Sequence, residues 1–284
     1  MTRLNLDALV PAAQAQQIRQ WLGDVEVVAD MSWNLGDTKV LHLQAGMKHV
    51  VAKTGGEENH HIVRELLAHR RYTGPLIEAG KAAKLLHASD SLRLMILDFQ
   101  PGELSAGSEY EFDPEFHRQA GAALKLLHSQ AQCLDPGYEA RLTQKFLVLL
   151  EREHRIEPAA CRQIEQMLRS YEPQPAVLVP THGDWQPRNW LADQGELRVI
   201  DFGRFEFRPA ASDLARLAVQ QWRVRPDLEA AFLQGYGHDP REGEAWRIMQ
   251  LREGLGTAVW AHQVGDRDFE AQGLQMLAET LTQA

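Results

Sequence analysis

Two short apolar runs, each breaking into a polar, glycine-containing turn, constrain this chain more than any other feature of its sequence. Val177-Leu178-Val179 runs into Thr181-His182-Gly183-Asp184, and Leu197-Arg198-Val199-Ile200 runs into Asp201-Phe202-Gly203. Such runs read as buried strands that end in loops. A carboxylate at a strand end is held by the scaffold and still faces what approaches from solvent. The surroundings are helical by apolar spacing, with helices expected over 139–154, 158–171, 213–223, 226–236 and 241–262. Another helix opens at Asp113-Pro114, an N-cap followed by a proline at the first helical position. It runs to about His128, with Phe116, Ala120, Leu124 and Leu127 on one face.

The N-terminal part reads differently. Val25-Glu26-Val27-Val28 is a short β-type run, and Thr38 to Leu43 alternates polar and apolar as a half-buried strand does. Gln44-Ala45-Gly46-Met47 supplies a turn into His49-Val50-Val51-Ala52-Lys53. Residues 57–72 carry helical spacing that stops at Thr73-Gly74-Pro75, and Leu92 to Leu97 is a further strand before Pro101-Gly102. The expected fold is α+β and bilobal: a small antiparallel sheet with one main helix over 1–100, and a larger, mostly helical lobe over 101–284. A chain of 284 residues accommodates both lobes around a shared cleft.

The spacing between the two turns carries the chemistry. Asn189 stands five residues after Asp184, and Asp201 twelve residues after Asn189. Asp184 can orient or accept the proton of an attacking hydroxyl. Asn189 and Asp201 offer hard oxygen ligands suited to Mg²⁺, which completes its shell with substrate phosphates. Together they make sense as a phosphoryl-transfer site.

Charge and composition narrow the partners. Thirty basic against thirty-nine acidic side chains give a net charge of −9, with no basic stripe, so nucleic acid is not an expected partner. From Asp227 onward ten carboxylates face four arginines and no lysine, a field that would suit a cationic small molecule. Two cysteines, Cys133 and Cys161, suggest neither a metal cluster nor a disulfide framework. No apolar stretch is long enough for a membrane span, and Met1-Thr2-Arg3-Leu4-Asn5 lacks the apolar run of a secretory signal, so a cytoplasmic location is expected.

These segments resemble the aminoglycoside phosphotransferase family, a branch of the protein-kinase-like fold that includes choline kinases. His182-Gly183-Asp184-Trp185-Gln186-Pro187-Arg188-Asn189 looks like the family's catalytic loop, and Val199-Ile200-Asp201-Phe202-Gly203 like its metal-binding strand end. Ser212-Asp213-Leu214-Ala215 and Leu126-Leu127-His128 match two further signatures, so the likeness covers roughly residues 25–260. It implies Asp184 as catalytic residue, Asn189 and Asp201 as Mg²⁺ ligands, and ATP or GTP as phosphate donor. Lys53, in Val51-Ala52-Lys53, is then the lysine that holds the α- and β-phosphates, partnered by Glu65, with Glu57 and Glu58 as competitors. The backbone of Leu97-Asp98-Phe99-Gln100 would read the nucleobase, and residues 32–38, with Gly36 alone, would form the phosphate-covering loop. The resemblance assigns Asp213 a structural role, and the residues themselves read it as a helix cap. Arg188 could contact the transferred phosphate.

Gln186 stands where protein kinases carry a lysine, and only nine residues separate Gly203 from Asp213. That gap is short for a loop that docks a polypeptide. The acceptor expected is a hydroxyl of an aminoglycoside-like or other cationic antibiotic, with no protein partner implied. Carboxylates near Asp266, Asp268 and Glu270 would meet its ammonium groups, and Trp222, Trp246 or Trp260 could wall its pocket, although core packing is their ordinary use. The alternative is a metabolic kinase for choline, an amino alcohol or a sugar. Rivals outside the class are a non-catalytic binding module and a metal-dependent hydrolase.

Overall fold

Residues 39–54 form the hairpin that their alternation dictates, in a computed structural model that describes residues 4–33 and 37–282. Helices α1 (Leu6–Leu9) and α2 (Ala12–Leu22) precede strands β1 (Glu26–Asp30), β2 (Lys39–Ala45) and β3 (Lys48–Thr54). Helices α3 (His60–Arg71) and α4 (Gly74–Glu78) and strands β4 (Leu85–Ser89) and β5 (Leu94–Asp98) follow. Next come β6 (Glu103–Leu104), α5 (Pro114–His128), β7 (Cys133–Asp135), α6 (Tyr138–Leu150) and α7 (Pro158–Ser170). Strands β8 (Ala176–Thr181), β9 (Trp190–Asp193), β10 (Glu196–Val199) and β11 (Glu206–Arg208) lead into α8 (Ala215–Val219) and α9 (Gln221–Val224). The chain ends in α10 (Pro226–Tyr236), α11 (Gly243–Val264) and α12 (Arg267–Thr282).

The chain groups into two compact units. The first comprises the chain to Gln130 together with His182–Glu206 and Asp227–Gly237. Its main sheet is antiparallel in the order β1-β2-β3-β5-β4. Because side chains alternate across a strand, the two faces of β3 serve different neighbours. Val50 and Ala52 pack with Leu41, Leu43, Leu94 and Ile96 against Ala15 and Ile18 of α2. Val51 joins Met95, Leu97, Ile62 and Leu66 on the face covered by α3, and Lys53 shares the parity of Val51. A second, three-stranded sheet in the order β10-β9-β6 carries the loops around residues 182–206.

Helices α5 and α10 approach each other closely enough to require glycine. A Cβ on Gly121 would lie 2.1 Å from the Phe232 carbonyl oxygen, and one on Gly235 would lie 1.9 Å from that of Arg118. Backbone cannot yield as a side-chain tip can, so the helices must separate. Gly235→Ala is expected to lower stability by about 3 kcal/mol, read as a lower urea midpoint. An unchanged midpoint would contradict this packing.

The second unit comprises Ala131–Thr181, Phe207–Pro226 and the residues from His238 onward. Strand β7 pairs antiparallel with β8. Ile164 and Leu168 of α7 pack with Ile248, Leu251 and Leu255 of α11 and Leu277 of α12. No helix among the described residues is long and apolar enough to cross a membrane.

Several expectations need correction. The N-terminal helix α2 and the C-terminal α12 were not legible by apolar spacing. The stretch 213–223 is not one helix but a 3-10 turn over Ala210–Leu214, then α8 and α9, interrupted at Gln220 (φ −111°, ψ −95°). Asp213 is buried within that 3-10 turn, and α8 has no side-chain cap, so Asp213 is not its N-cap. Asn34, Leu35 and Gly36 of the expected phosphate-covering loop lie outside the described residues.

Candidate active site

Lys53, Glu65, Asp98, Phe99, Gln100, Asp184, Asn189 and Asp201 all belong to the first unit. Lys53 lies on β3 and Glu65 on α3, facing each other because α3 covers that side of the sheet. Lys53 Nζ donates to Glu65 Oε1 at 2.8 Å, to Glu65 Oε2 at 2.9 Å and to Asp201 Oδ1 at 3.2 Å. Glu57 and Glu58 are exposed. Lys53 and Glu65 are only 7% and 2% exposed, so this is a buried charge network whose members depend on one another. Burial alone would lower the Lys53 pKa, but the charges of Asp201 and Glu65, with their hydrogen bonds, outweigh it and raise it above the ordinary lysine value. Burial would likewise raise Glu65, yet the Lys53 ammonium and the His69 imidazole, 3.8 Å away, hold it below the ordinary glutamate value. Asp201 is held well below the usual carboxylate range, chiefly by the Lys53 charge acting against burial.

Because Glu65 is depressed, its stabilising effect is complete above the ordinary glutamate pKa of about 4.3 and fades as the pH falls below it. Lys53 is raised, so its contribution persists up to and beyond the ordinary lysine value of about 10.4. Glu65→Gln is therefore expected to cost about 3 kcal/mol at neutral pH, since a buried ammonium loses its nearer partner. Urea titrations should show this difference flat around neutrality and shrinking in acid. A difference that vanished near neutral pH would contradict the network.

The second cluster is the loop after β8. Gly183 takes φ +81°, a left-handed conformation open to glycine, and this turns the chain so that Asp184 follows His182 at once. Trp185 and Trp190 are almost wholly buried and pack edge to face at 5.9 Å, which anchors the loop at both ends. Ser105 Oγ donates to the Pro187 carbonyl at 2.9 Å. Asp184 is 4% exposed and accepts from Gln186 Nε2, from Arg188 NH2 at 2.6 Å and from Asn189 Nδ2 at 3.1 Å. Asn189 Nδ2 also donates to the Asp184 carbonyl at 2.8 Å, which commits the amide nitrogen and leaves Oδ1 as its ligating atom.

Asp201 follows β10 with φ +64°, unusual outside glycine but least costly for Asp and Asn. Its side chain is half exposed. Two contacts hold the turn. His182 Nε2 lies 3.0 Å from the Ile200 carbonyl, and His61 Nδ1 lies 2.9 Å from the Gly203 carbonyl. Both carbonyls can only accept, so each imidazole nitrogen is the donor. Phe202 is buried against His182 and His69. Sequence reasoning passed over His61 and His69, because nothing in a His-His pair at a helix start says which backbone it will meet 142 residues later.

Asp98 closes β5, and Phe99 and Gln100 follow it. The Asp98 N–H donates to the Lys84 carbonyl at 2.9 Å and the Phe99 N–H to that of His49 at 3.4 Å. The Phe99 ring stacks on His42 at 4.1 Å, and Gln100 Oε1 accepts from Arg198 at 3.2 Å.

In the second unit, the carboxylates expected to meet a cationic acceptor divide. Glu270 is buried and already holds Arg155 at 3.3 Å and His262 at 3.0 Å, so it is a structural ion pair and not a substrate contact. Glu253 pairs with Arg216, Glu279 with Arg223, and Asp239 with Arg241. Asp266 accepts from the Phe269 N–H at the start of α12, while Asp268 is exposed. Trp222 is buried, Trp260 is 48% exposed, and the Arg241 guanidinium lies over the rings of Trp222 and Trp246.

Solved structures share this architecture along almost the whole chain. A thermostable mutant of aminoglycoside phosphotransferase APH(4)-Ia, in ternary complex with ADP and hygromycin B, superposes with a TM-score of 0.69 at 15% identity, covering 94% of this chain and 97% of that one. Choline kinase LicA from Streptococcus pneumoniae gives 0.64 at 16% identity, covering 95% and 97%. Macrolide 2'-phosphotransferase MphH from Brachybacterium faecium gives 0.63 at 17%, covering 94% and 98%. No curated protein matches in sequence. The fold is thus the α+β, bilobal protein-kinase-like one, with a small antiparallel N-lobe sheet and a larger, mostly helical C-lobe. Residues 59–251 match the family model APH, described as the phosphotransferase enzyme family, and the chain belongs to that family. It is a phosphotransferase.

Proposed function

We propose that this enzyme transfers the γ-phosphoryl group of ATP or GTP, with Mg²⁺, to a hydroxyl of a small cationic acceptor of the aminoglycoside-like kind. The observation that carries this reading is the pairing of Lys53 with Glu65 and Asp201 in the same unit as the Asp184–Asn189 loop. The lobe division at about residue 100 belongs to the same proposal, as does base reading by the backbone of Asp98, Phe99 and Gln100. With the Asp98 and Phe99 N–H groups already committed, the Gln100 N–H is the donor that remains for a nucleobase.

The donor set suits magnesium. Asn189 Oδ1 and the half-exposed Asp201 carboxylate are hard oxygens, and two are few, so phosphate and water would supply the rest of the shell. When bound, the ion would neutralise phosphate charge. Lys53 binds the α- and β-phosphates, and Glu65 fixes its position. Asp184 orients the acceptor hydroxyl. The acceptor oxygen attacks the γ-phosphorus in line, a new O–P bond forms, and the bond to the β,γ-bridging oxygen breaks. Its electron pair leaves with the nucleoside diphosphate, and the hydroxyl proton passes to the Asp184 carboxylate. Positioning matters more than base strength here, because the transition state is loose.

The net charge of −9 supports a cationic acceptor, although Glu270, Glu253, Glu279 and Asp239 are spent on internal pairs. A metabolic kinase is the second reading, favoured by a fold match to a choline kinase that covers the chain as fully as the match to the antibiotic kinase. A cytoplasmic site of action and a role in antibiotic resistance complete the first reading. Acceptor-dependent release of nucleoside diphosphate tests the reaction class. A hydrolase would consume triphosphate without an acceptor, and a binding module would consume none.

A further inference from the structure

The Asp184 carboxylate is crowded for a group that must also hold an acceptor hydroxyl. A carboxylate offers about four acceptor positions. Gln186, Arg188 and Asn189 side chains occupy at least three of them. An incoming hydroxyl therefore competes with these donors. Gln186 and Asn189 are each 5% exposed and held within the buried loop. The Arg188 side chain is 42% exposed, and among the described residues its side chain hydrogen-bonds to Asp184 Oδ2 alone. Arg188 is the donor that can leave.

Its destination follows from charge and reach. In-line transfer brings the γ-phosphorus within bonding distance of the oxygen that Asp184 holds, so the phosphoryl oxygens arrive beside the position Arg188 occupies. Asp184 and the phosphoryl group are both negative and need a cation between them. Lys53 is unsuited to that second task, being 7% exposed and tied to Glu65 and Asp201. A guanidinium has five donors in a planar fork that matches phosphate oxygens, and Arg188 spends one of them on Asp184.

We infer that Arg188 is a phosphoryl-binding catalytic residue: it rests on Asp184 in the free enzyme, and turns its unused donors to the γ-phosphoryl group when triphosphate binds. This rests on the reading of Asp184 as the acceptor-orienting group. Two negative groups are thereby kept apart by one side chain, and the Asp184 position vacated by Arg188 becomes available to the hydroxyl.

The test uses the full-length enzyme with Mg²⁺ and compares binding of ADP with that of a non-hydrolysable triphosphate, AMP-PNP, and of their guanine counterparts, by calorimetry. In Arg188→Ala the ratio of triphosphate to diphosphate affinity is expected to fall about tenfold or more, with diphosphate affinity within about twofold of wild type. The loss in turnover, once an acceptor is known, is expected at about 10²-fold or more, as for removal of one transition-state donor. Arg188→Lys, which keeps a charge without the fork, should fall between, and serves if the alanine variant folds poorly. Asp184→Asn, which removes the negative charge and releases Arg188, should raise the ratio or leave it no lower than wild type. An unchanged ratio in both Arg188 variants would overturn the inference while leaving the kinase reading intact. Failure of the wild type to bind any of the four nucleotides would overturn the kinase reading, and the inference with it.

Discussion

Asp184→Ala is expected to lower the rate of phosphoryl transfer by about 10³-fold or more, in the upper range for loss of a positioned acid or base. The dissociation constant for Mg-nucleotide should stay within about twofold of wild type. The separation follows from how the loop is built. On the proposed reading Asp184 would give its carboxylate to the acceptor, whereas its backbone carbonyl makes the shorter of two bonds to Asn189 Nδ2, at 2.8 Å against 3.1 Å from the carboxylate. Truncation removes the first and keeps the second. The loop also has anchors that do not involve the carboxylate, namely Trp185, Trp190 and the Ser105 bond to the Pro187 carbonyl. An interaction made mainly in the transition state appears as equal losses in kcat and kcat/KM. Equal loss of nucleotide binding would instead mean that Asp184 supports the metal site.

Asp201→Asn is expected to weaken Mg-dependent nucleotide binding by about 10²-fold, because it removes the charge of the proposed metal ligand and one of the two carboxylates around Lys53. Asparagine tolerates the left-handed backbone at φ +64° nearly as well as aspartate does. Asp201→Ala should show the same binding loss and, in addition, a drop in stability of about 1 kcal/mol from backbone strain. The two variants therefore separate ligation from conformation. Calorimetry with and without Mg²⁺ reads the first, and a urea midpoint reads the second. Metal-dependent binding that survives in Asp201→Asn would place the metal elsewhere.

How much of this was legible depends on the kind of interaction. The strands around the site could be read because each is a short apolar run closed by a turn, and Asp113-Pro114 announced α5, whose Asp113 side chain does cap the Glu115 N–H. Helix α2 was not legible because Gln14 and Ala15 share its buried face with Ile18, and an Ala/Gln-rich segment has helical propensity without apolar period. Helix α12 buries Glu270, Gly273 and Thr280 alongside Met276 and Leu277, and a Cβ on Gly273 would meet the Ala258 backbone nitrogen at 2.5 Å. Close backbone packing of that kind uses small residues, which hydrophobic patterning does not register. Within the site, residue types and spacing pointed to Asp184, Asn189 and Asp201. The partners that hold them were not readable. The Arg188–Asp184 pair depends on the loop's fold, and the His61 and Lys53 contacts join positions 142 and 148 residues apart. Which carboxylates of the acidic C-terminal region are spent on internal pairs was not legible for a related reason. A count that starts at Asp227 leaves out Arg216, Arg223 and Arg155, which precede it in sequence and which the fold sets against Glu253, Glu279 and Glu270.

Mass spectrometry of acceptor panels tests the central claim most directly. Wild type and Asp184→Ala would be incubated with Mg-ATP or Mg-GTP and with aminoglycosides, peptide and nucleoside antibiotics, choline, amino sugars and simple sugars. A phosphoryl group added to one acceptor, about 80 Da, by wild type and not by the variant is the expected result. Equal phosphorylation by both proteins, or triphosphate hydrolysed at the same rate with and without every acceptor, would contradict it.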